Sequence, residues 1–465
     1  MAYDLVIVGM GSAGMVAAEF APKLGIKVAA VEGHRVGGDC LWTGCVPSKA
    51  LLASAKAAHT MRHADAYGLT PVEPQIDTAR VWARIHAIRQ QLASTDDNPE
   101  RFEAAGVDVL LGAARLTSPT TVLVGDVEHE ARYVLLATGS RPATPPIDGL
   151  AAAGYLTSER IFELDRAPAS LVMIGAGPIS IELSQALARL GVSVTVLQKG
   201  AGVLEREEPA LVERLVRKLR AEGVELEVGV DIDRVSVAED GLSKTVHAGE
   251  WSWTAAEIFV GAGRRPNVEG LGLEEVGVKV GRRGVEVDDK LRTSIKTIYA
   301  AGDVAGRWLF THSAGYEAAR AVRNMFLPGS SGGSFHVPWC TFTDPELAHA
   351  GLTEAQARAK HGDDAVAVWR QDLAHSDRAR ADSASDGEIR IVTAKGRIVG
   401  AHALAPSAGE LIGELALAID RKLKLTDLSS LVHVYPTIAI AIQQIAGEAS
   451  YASAEKYAWL VRSGA

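Results

Sequence analysis

The chain has 465 residues, of which 47% are hydrophobic and 23% charged, with a formal net charge of -9. That length exceeds one ordinary core and predicts two to four domains of roughly 100–200 residues each. The composition is that of a soluble globular protein, and interspersed acids and bases exclude a polyanion-binding face and a polybasic anchor, so neither nucleic acid nor membrane is an expected partner.

The N-terminus reads MAYDLVIVGMGSAG, a short apolar run without a basic leader, which is a strand and not a signal peptide. Nowhere do about 18 apolar residues run together, as a spanning helix requires. Tyr3 to Val8 leads into Gly9-x-Gly11-x-x-Gly14 and the helical run AGMVAAEFAPKLG, and a second strand, Val28 to Val31, ends at Glu32. Strand, glycine turn, helix, strand and acid follow one another in the order of a dinucleotide site. The glycines let backbone amides approach a pyrophosphate at the helix N-terminus, and Glu32 can accept hydrogen bonds from ribose hydroxyls.

The next segment, GGDCLWTGCVPSK from Gly37 to Lys49, holds Cys40 and Cys45, two of only three cysteines. A structural zinc site wants four ligands, and no second Cys/His pair stands nearby, so no metal site is expected. A disulfide here would close a short loop that constrains the unfolded chain little, and three cysteines make no extracellular scaffold. A cytosolic protein whose close pair is a redox couple is the expected reading.

Further along, VLLATGSRP (Val134 to Pro142) is a strand ending in small residues, then Arg-Pro. The opening grammar then repeats: Leu171 to Ile174, Gly175-x-Gly177-x-x-Ser180, a helix through Leu190 and the strand Val192 to Leu197. Two dinucleotide sites in one chain imply electron transfer between two cofactors. Gln198 stands 23 residues after Gly175, as Glu32 stands 23 after Gly9, and Lys199 follows it. A glutamate there would repel a 2′-phosphate, so Gln198 with Lys199 favours NADPH over NADH. IFVGAGRRPN (Ile258 to Asn267) matches VLLATGSRP, and IYAAGD ends at Asp303, which can hold a sugar-alcohol hydroxyl. After Leu327, PGSSGGS reads as a linker. Beyond it the alternation in VAVWRQDL, EIRIVTA and RIVGAHALAP predicts an antiparallel sheet, with helices at Thr353 to Lys360 and Ala408 to Lys422.

With these motifs in place the whole chain resembles the pyridine nucleotide-disulfide oxidoreductases, the flavoprotein group of dihydrolipoamide dehydrogenase, glutathione reductase and mercuric reductase. GGDCLWTGCVPSK carries the resemblance most specifically, and ATGSRP, GAGRRPN and AAGDV add to it in order. FTDPELAHAGLTEAQA, DRARAD and GELIGELALAI look most like the mercuric reductase-like members. The implied fold class is α/β: two Rossmann-like dinucleotide-binding domains and a C-terminal α+β dimerisation domain. FAD would occupy 1–148 with 264–330, a nicotinamide nucleotide 149–263, and the interface domain 336–465.

The resemblance implies a role for each residue. Cys45 would lie against the flavin as the charge-transfer thiol, Cys40 would be the outer thiol that meets substrate, and Lys49 would sit one helical turn on, near the flavin, paired with Glu182. The cofactor contacts expected are Gly9, Gly11, Gly14, Glu32, Gly38, Lys49, Ala114, Thr138, Gly139 and Asp303 for FAD. For the nicotinamide nucleotide they are Gly175, Gly177, Glu182, Gln198, Lys199 and Gly263. A homodimer is implied in which Tyr435 faces the partner's Cys40.

Disulfide-reducing members carry a histidine-proline-threonine segment and a glutamate three residues after the threonine. Here HVYPTIAIA (His433 to Ala441) puts Tyr435 at the acid position and Ile440 at the glutamate position. A phenol with a pKa near 10 is a poor proton donor at pH 7, so the acceptor expected is not a common thiol disulfide but a soft metal ion such as mercuric ion, a quinone or another electrophile. His433 is the alternative acid in a dihydrolipoamide dehydrogenase-like reading; a flavin-bound redox sensor with little turnover is a third. Mercuric reductases also carry a C-terminal cysteine pair; this chain ends KYAWLVRSGA, and its third cysteine, Cys340, stands alone.

Overall fold

The computed structural model describes residues 2–239, 241–329 and 336–454. The opening strands YDLVIV (Tyr3–Val8) and VAAVE (Val28–Glu32) are mostly apolar because both faces of their parallel sheet are covered, one by the helices Ser12–Phe20 and Thr311–Phe326 and the other by Leu116, Val122 and the segment around Leu271 and Val285; the second strand is buried throughout. With Val107–Leu111 and Val127–Leu136 they run in parallel, Tyr3–Val8 lying between Val28–Glu32 and Val127–Leu136. Ile298–Ala300 returns from far along the chain to pair with Val127–Leu136, and an antiparallel extension, Thr121–Val124 and Ala114–Ser118, completes the seven strands. The helical run after Gly11 is shorter than its pattern suggests. The α-helix spans Ser12–Phe20 and gives way to a tight turn at Ala21–Leu24, where Pro22 lacks the amide that would continue it.

The second sheet repeats the first in miniature. Its parallel order is Glu225–Val228, Ser193–Gln198, Ser170–Ile174, Glu257–Val260, with an antiparallel three-stranded flap, Arg234–Val237, Lys244–Ala248 and Trp251–Ala255, beside it. The repeat extends to single bonds. Gly9 N–H donates to Val31 O at 2.8 Å and Gly175 N–H to Leu197 O at 2.8 Å. A Cβ on Gly9 would stand 2.5 Å from Ala137 O, and one on Gly175 2.6 Å from Gly261 O. The two matched return segments pair with each other, Ser140–Pro142 antiparallel to Arg264–Pro266.

A five-stranded antiparallel sheet follows, in the order Trp339–Thr341, Glu346–Gly351, Arg397–Ala405, Glu388–Ala394, Val366–Asp372. The helices Ala408–Asp420 and Ile440–Ala454 pack their apolar stripes on it. The helix expected from Thr353 spans Glu354–His361, with Thr353 as its cap. Most of the PGSSGGS linker and the KYAWLVRSGA end lie outside the described residues.

Buried polar contacts fasten this sheet to the second nucleotide unit. On the helix Pro178–Arg189, Gln185 exchanges hydrogen bonds with the backbone of Asp344, and Arg189 binds Glu222 at 2.8 Å and Asp344 at 2.9 Å. The side chains of Arg189 and Glu222 are 4% and 7% exposed. Burial alone would raise the Glu222 carboxyl, but Arg189, with His59 and Lys218, holds it below the ordinary value. Its contribution to stability is therefore complete above the unfolded carboxyl value of about 4.3 and is lost as pH falls through the lower folded value. Arg189→Leu removes the cation shared by the Glu222 and Asp344 carboxylates and should cost about 3 kcal/mol in urea unfolding at pH 7, with a smaller cost on acidification. An unchanged urea midpoint at pH 7 would contradict this reading of the cluster.

Candidate active site

Glycine crowding brings the thiol motif onto the first nucleotide loop. Gly38 (φ 55°) lies so close that an added Cβ would meet Gly11 Cα at 2.6 Å, and one on Gly14 would meet Gly9 O at 1.8 Å. Both positions require glycine because the obstacle is backbone. No side chain caps the helix Ser12–Phe20, so its first amides face the Gly9–Gly11 turn free to meet an anion. Glu32 accepts from Met10 N–H and His34 N–H, both at 2.8 Å, which fixes its carboxylate at the end of its strand. In the second unit Gln198 Oε1 accepts from Ala176 N–H at 3.0 Å, the same contact with an amide in place of the acid. A Cβ on Gly177, the counterpart of Gly11, would enter open space, as close approach of a pyrophosphate demands.

The remaining predicted contacts cluster around these loops. Thr138 Oγ1 donates to Asn267 O at 2.7 Å, Asn267 Nδ2 returns a bond to Thr138 O at 2.9 Å, and Gly139 O accepts from Asn267 N–H. Ser140 Oγ donates to Asp303 Oδ2 at 2.5 Å. Gly263 O accepts from Ala143 N–H. Ala114 opens the strand just past Gly112, whose amide donates to Glu32 O. Lys199 reaches Asp231 at 2.6 Å on the surface, and Glu205 lies 3.5 Å from Gln198 Nε2. These chain contacts fit an FAD cradle at the first loop and a second dinucleotide at the other.

Cys40 lies on the short helix Gly38–Trp42 and Cys45 opens the long helix Cys45–Arg62, whose N-terminal amides favour an anion. Both are free thiols. Cys45 Sγ stands 3.3 Å from Thr311 Oγ1. Interaction with Cys40, helped by Thr311 and the Lys49 charge and opposed by burial and Asp39, holds the Cys45 thiol below the ordinary thiol value. Cys40 moves the other way, raised by its hydrogen bond to Cys45 and by burial. The geometry therefore supports one thiolate, on Cys45, and one thiol, on Cys40.

Lys49, one turn beyond Cys45, meets Glu182 Oε2 at 2.8 Å and lies 4.2 Å above the Phe342 ring. Glu182 is buried, and its other oxygen accepts from Phe342 N–H at 2.9 Å. Thr311 and Phe342 were not apparent from the sequence. Thr311 follows Phe310, whose ring stacks 5.7 Å from Trp339, a contact between distant segments that no local pattern encodes.

The C-terminal segment separates its two candidate acids. His433 turns inward: its Nε2 faces Glu414 at 3.1 Å and its Nδ1 faces Leu431 O at 3.2 Å, with the side chain 6% exposed. Tyr435 points outward, 63% exposed in the single chain, and donates to Asp377 Oδ2 at 2.7 Å. Ile440 opens the final helix and supplies no carboxylate.

Comparison with known proteins identifies the family. The chain is 33% identical to dihydrolipoyl dehydrogenase of Geobacillus stearothermophilus over 94% of its own length and 93% of the relative's. It is 33% identical to mercuric reductase of Bacillus cereus over 94% of its length and 70% of that protein's, and 32% identical to glutathione reductase of Burkholderia cepacia over 94% and 97%. Among solved structures, the Cu(II) complex of the HOCl-induced flavoprotein disulfide reductase RclA from Escherichia coli superposes with a TM-score of 0.85 at 25% identity, covering 96% of this chain and 99% of that one. Residues 337–446 match the pyridine nucleotide-disulphide oxidoreductase dimerisation domain, which supports a homodimer. Residues 3–318 match the pyridine nucleotide-disulphide oxidoreductase family itself, and the chain belongs to that family of FAD-dependent, NAD(P)H-linked enzymes.

Proposed function

We propose that electrons pass from a nicotinamide nucleotide at 149–263, through FAD held by 1–148 and 264–330, to the Cys40–Cys45 disulfide, and then to an acceptor other than a common thiol disulfide. FAD, when bound, supplies the two-electron relay between hydride donor and disulfide. Reduction breaks the sulfur–sulfur bond with uptake of two electrons and one proton, leaving a thiolate at Cys45 Sγ and a thiol at Cys40 Sγ. Lys49 stabilises that thiolate, and Glu182 keeps the ammonium in place. Cys40, the outer thiol, meets the acceptor.

A thiophilic metal ion is the acceptor favoured: the soft mercuric ion, or the borderline cupric ion, which reduction turns into soft Cu(I). The observation that carries this choice is the pair of positions at the C-terminal segment: Tyr435 stands where a disulfide reductase needs an acid titrating near neutrality, while His433 is turned onto Glu414. Thiolates suit soft metal ions, which need no leaving thiol to be protonated. The mercuric reductase relatives and the Cu(II) complex of RclA support the same class. One contact favours a second reading: His433 with Glu414 is a histidine–carboxylate pair of the kind that orients an acid, as a dihydrolipoyl dehydrogenase-like reaction would require.

In the proposed homodimer, Tyr435 of one subunit would face the partner subunit's thiols. Val432, Val434 and Tyr435 are 86%, 76% and 63% exposed in the single chain, an apolar run suited to burial against a second copy. We place the reaction in the cytosol, where a close thiol pair stays reducible. For the nucleotide, Gln198 with Lys199 supports NADPH, but Lys199 must leave Asp231 to meet a 2′-phosphate, so NADH is accepted as well.

Three outcomes are expected. In the two-electron-reduced protein the long-wavelength thiolate-to-flavin absorption should grow in with a midpoint below the ordinary thiol value, and higher in Lys49→Met than in the parent; an unmoved midpoint would remove Lys49 from this role. In an anaerobic panel of mercuric ion, cupric ion, lipoamide, glutathione disulfide and a quinone, a metal ion should turn over at least about tenfold faster than either disulfide and lose that turnover in Cys40→Ser. Fast lipoamide reduction that collapses in His433→Ala and survives Tyr435→Phe would establish the second reading instead. Lys199→Ala should raise the KM for NADPH by no more than about fivefold, leaving that for NADH unchanged, because an exposed ion pair is worth about 1 kcal/mol at most.

A further inference from the structure

The thiol pair sits between two charge pairs, Lys49 with Glu182 on one side and Asp39 with Arg264 on the other. Asp39 directly precedes Cys40. Its Oδ1 accepts from Thr43 Oγ1 and its Oδ2 from Arg264 Nη2, so both carboxylate oxygens are fixed. Arg264 reaches past Asp39 into the first nucleotide site: its Nε donates to Ser140 Oγ at 2.7 Å, its Nη2 to Ser140 O at 3.0 Å, and its Nε lies 3.4 Å from Asp303 Oδ2. The Arg264 side chain is 15% exposed, Asp303 19% and Asp39 38%, so water screens these charges incompletely. One guanidinium thus stands between two carboxylates, leaving a net negative charge beside Cys40.

We propose that Asp39 and Arg264 are positioning residues that set how readily the Cys40–Cys45 disulfide is reduced, Asp39 opposing reduction and Arg264 moderating it. The inference rests on the reading of Cys40 and Cys45 as the redox pair. Reduction by the nicotinamide donor takes up two electrons and one proton and so adds one negative charge to the pair. A fixed carboxylate next to Cys40 disfavours that charge, just as the Lys49 ammonium favours it. The other charged groups facing this corner are Glu159, on the short helix Ser158–Ile161, and Arg141, which is held by Glu269. Arg264 ties the balance to the strand end that carries Asp303, so the same cation that orders the flavin-site acid also limits the field at the thiols. A pair poised this way releases its electrons more readily to an acceptor than one flanked by Lys49 alone.

The test is a redox equilibrium on the FAD-loaded homodimer. Parent, Asp39→Asn and Asp39→Glu proteins are poised anaerobically at fixed ratios of NADPH to NADP⁺ and, separately, of NADH to NAD⁺, the thiols formed are counted after denaturation, and the thiolate-to-flavin absorption is read at one pH. Asp39→Asn, nearly isosteric but neutral, should shift the ratio of dithiol to disulfide about three- to thirtyfold toward dithiol, a tenfold change being about 30 mV. Asp39→Glu keeps the charge and should stay within about twofold of the parent. Arg264→Gln, where it retains FAD, should shift the ratio the opposite way. An Asp39→Asn ratio within twofold of the parent would overturn the proposal, as would an Asp39→Glu shift as large as that of Asp39→Asn. A parent that forms no new thiols at any ratio would overturn both this proposal and the redox-pair reading beneath it, whereas a responsive parent with an indifferent Asp39→Asn would overturn this one alone.

Discussion

The contact on which the rest of the site depends is the carboxylate of Glu182. It is buried, and a buried carboxylate is stable only with a cation and full hydrogen bonding. It takes its cation from Lys49, one turn after Cys45, and its amide donor from Phe342, on the edge of the C-terminal sheet. One side chain of the second nucleotide unit therefore joins the thiol helix to the interface domain. Gln185 and Arg189, one and two turns further along the same helix, bind Asp344 beside it. Placing the thiols, the nucleotide unit and the interface sheet correctly is a single packing problem, solved along one face of the helix Pro178–Arg189.

Much of this was legible in the sequence because it is encoded locally. The two glycine turns, the strands that flank them, the acid at Glu32 and its replacement by Gln198 lie within short windows, and the hydrogen bonds of the two units coincide almost bond for bond. Cys40, Cys45 and Lys49 fall within one motif for the same reason. What the sequence hid is what joins distant segments. Nothing local announces that Ser140–Pro142 pairs with Arg264–Pro266, that Thr311 stands over Cys45, or that the Phe342 amide completes Glu182. Asp39 was in plain view, but its meaning depends on Arg264, 225 residues away. His433 and Tyr435, two residues apart, were both candidates by type. Only the fold separates them, by turning the imidazole onto Glu414 and leaving the phenol exposed beside Asp377.

That separation shapes the chemistry. An ordinary disulfide acceptor expels a thiolate that must be protonated, and the group in the expected place is a phenol hydrogen-bonded to a carboxylate, which holds its proton above the usual tyrosine value. A metal ion makes no such demand: it binds sulfur and accepts electrons without a leaving thiol. On the proposed function, the electron-delivering half of a disulfide reductase, from the paired nucleotide loops through Cys45 and Lys49, is joined to a different receiving half.

The central claim, that electrons cross the Cys40–Cys45 pair on their way out, is tested most directly by counting thiols during one turnover. Anaerobic protein given one equivalent of NADPH or NADH per subunit should gain two titratable thiols, both assignable to Cys40 and Cys45 by peptide mass, and after addition of the metal ion and its removal by a chelator should show them again as a disulfide rather than as recovered thiols. Flavin that is bleached and reoxidised while the thiol count stays constant would contradict the account.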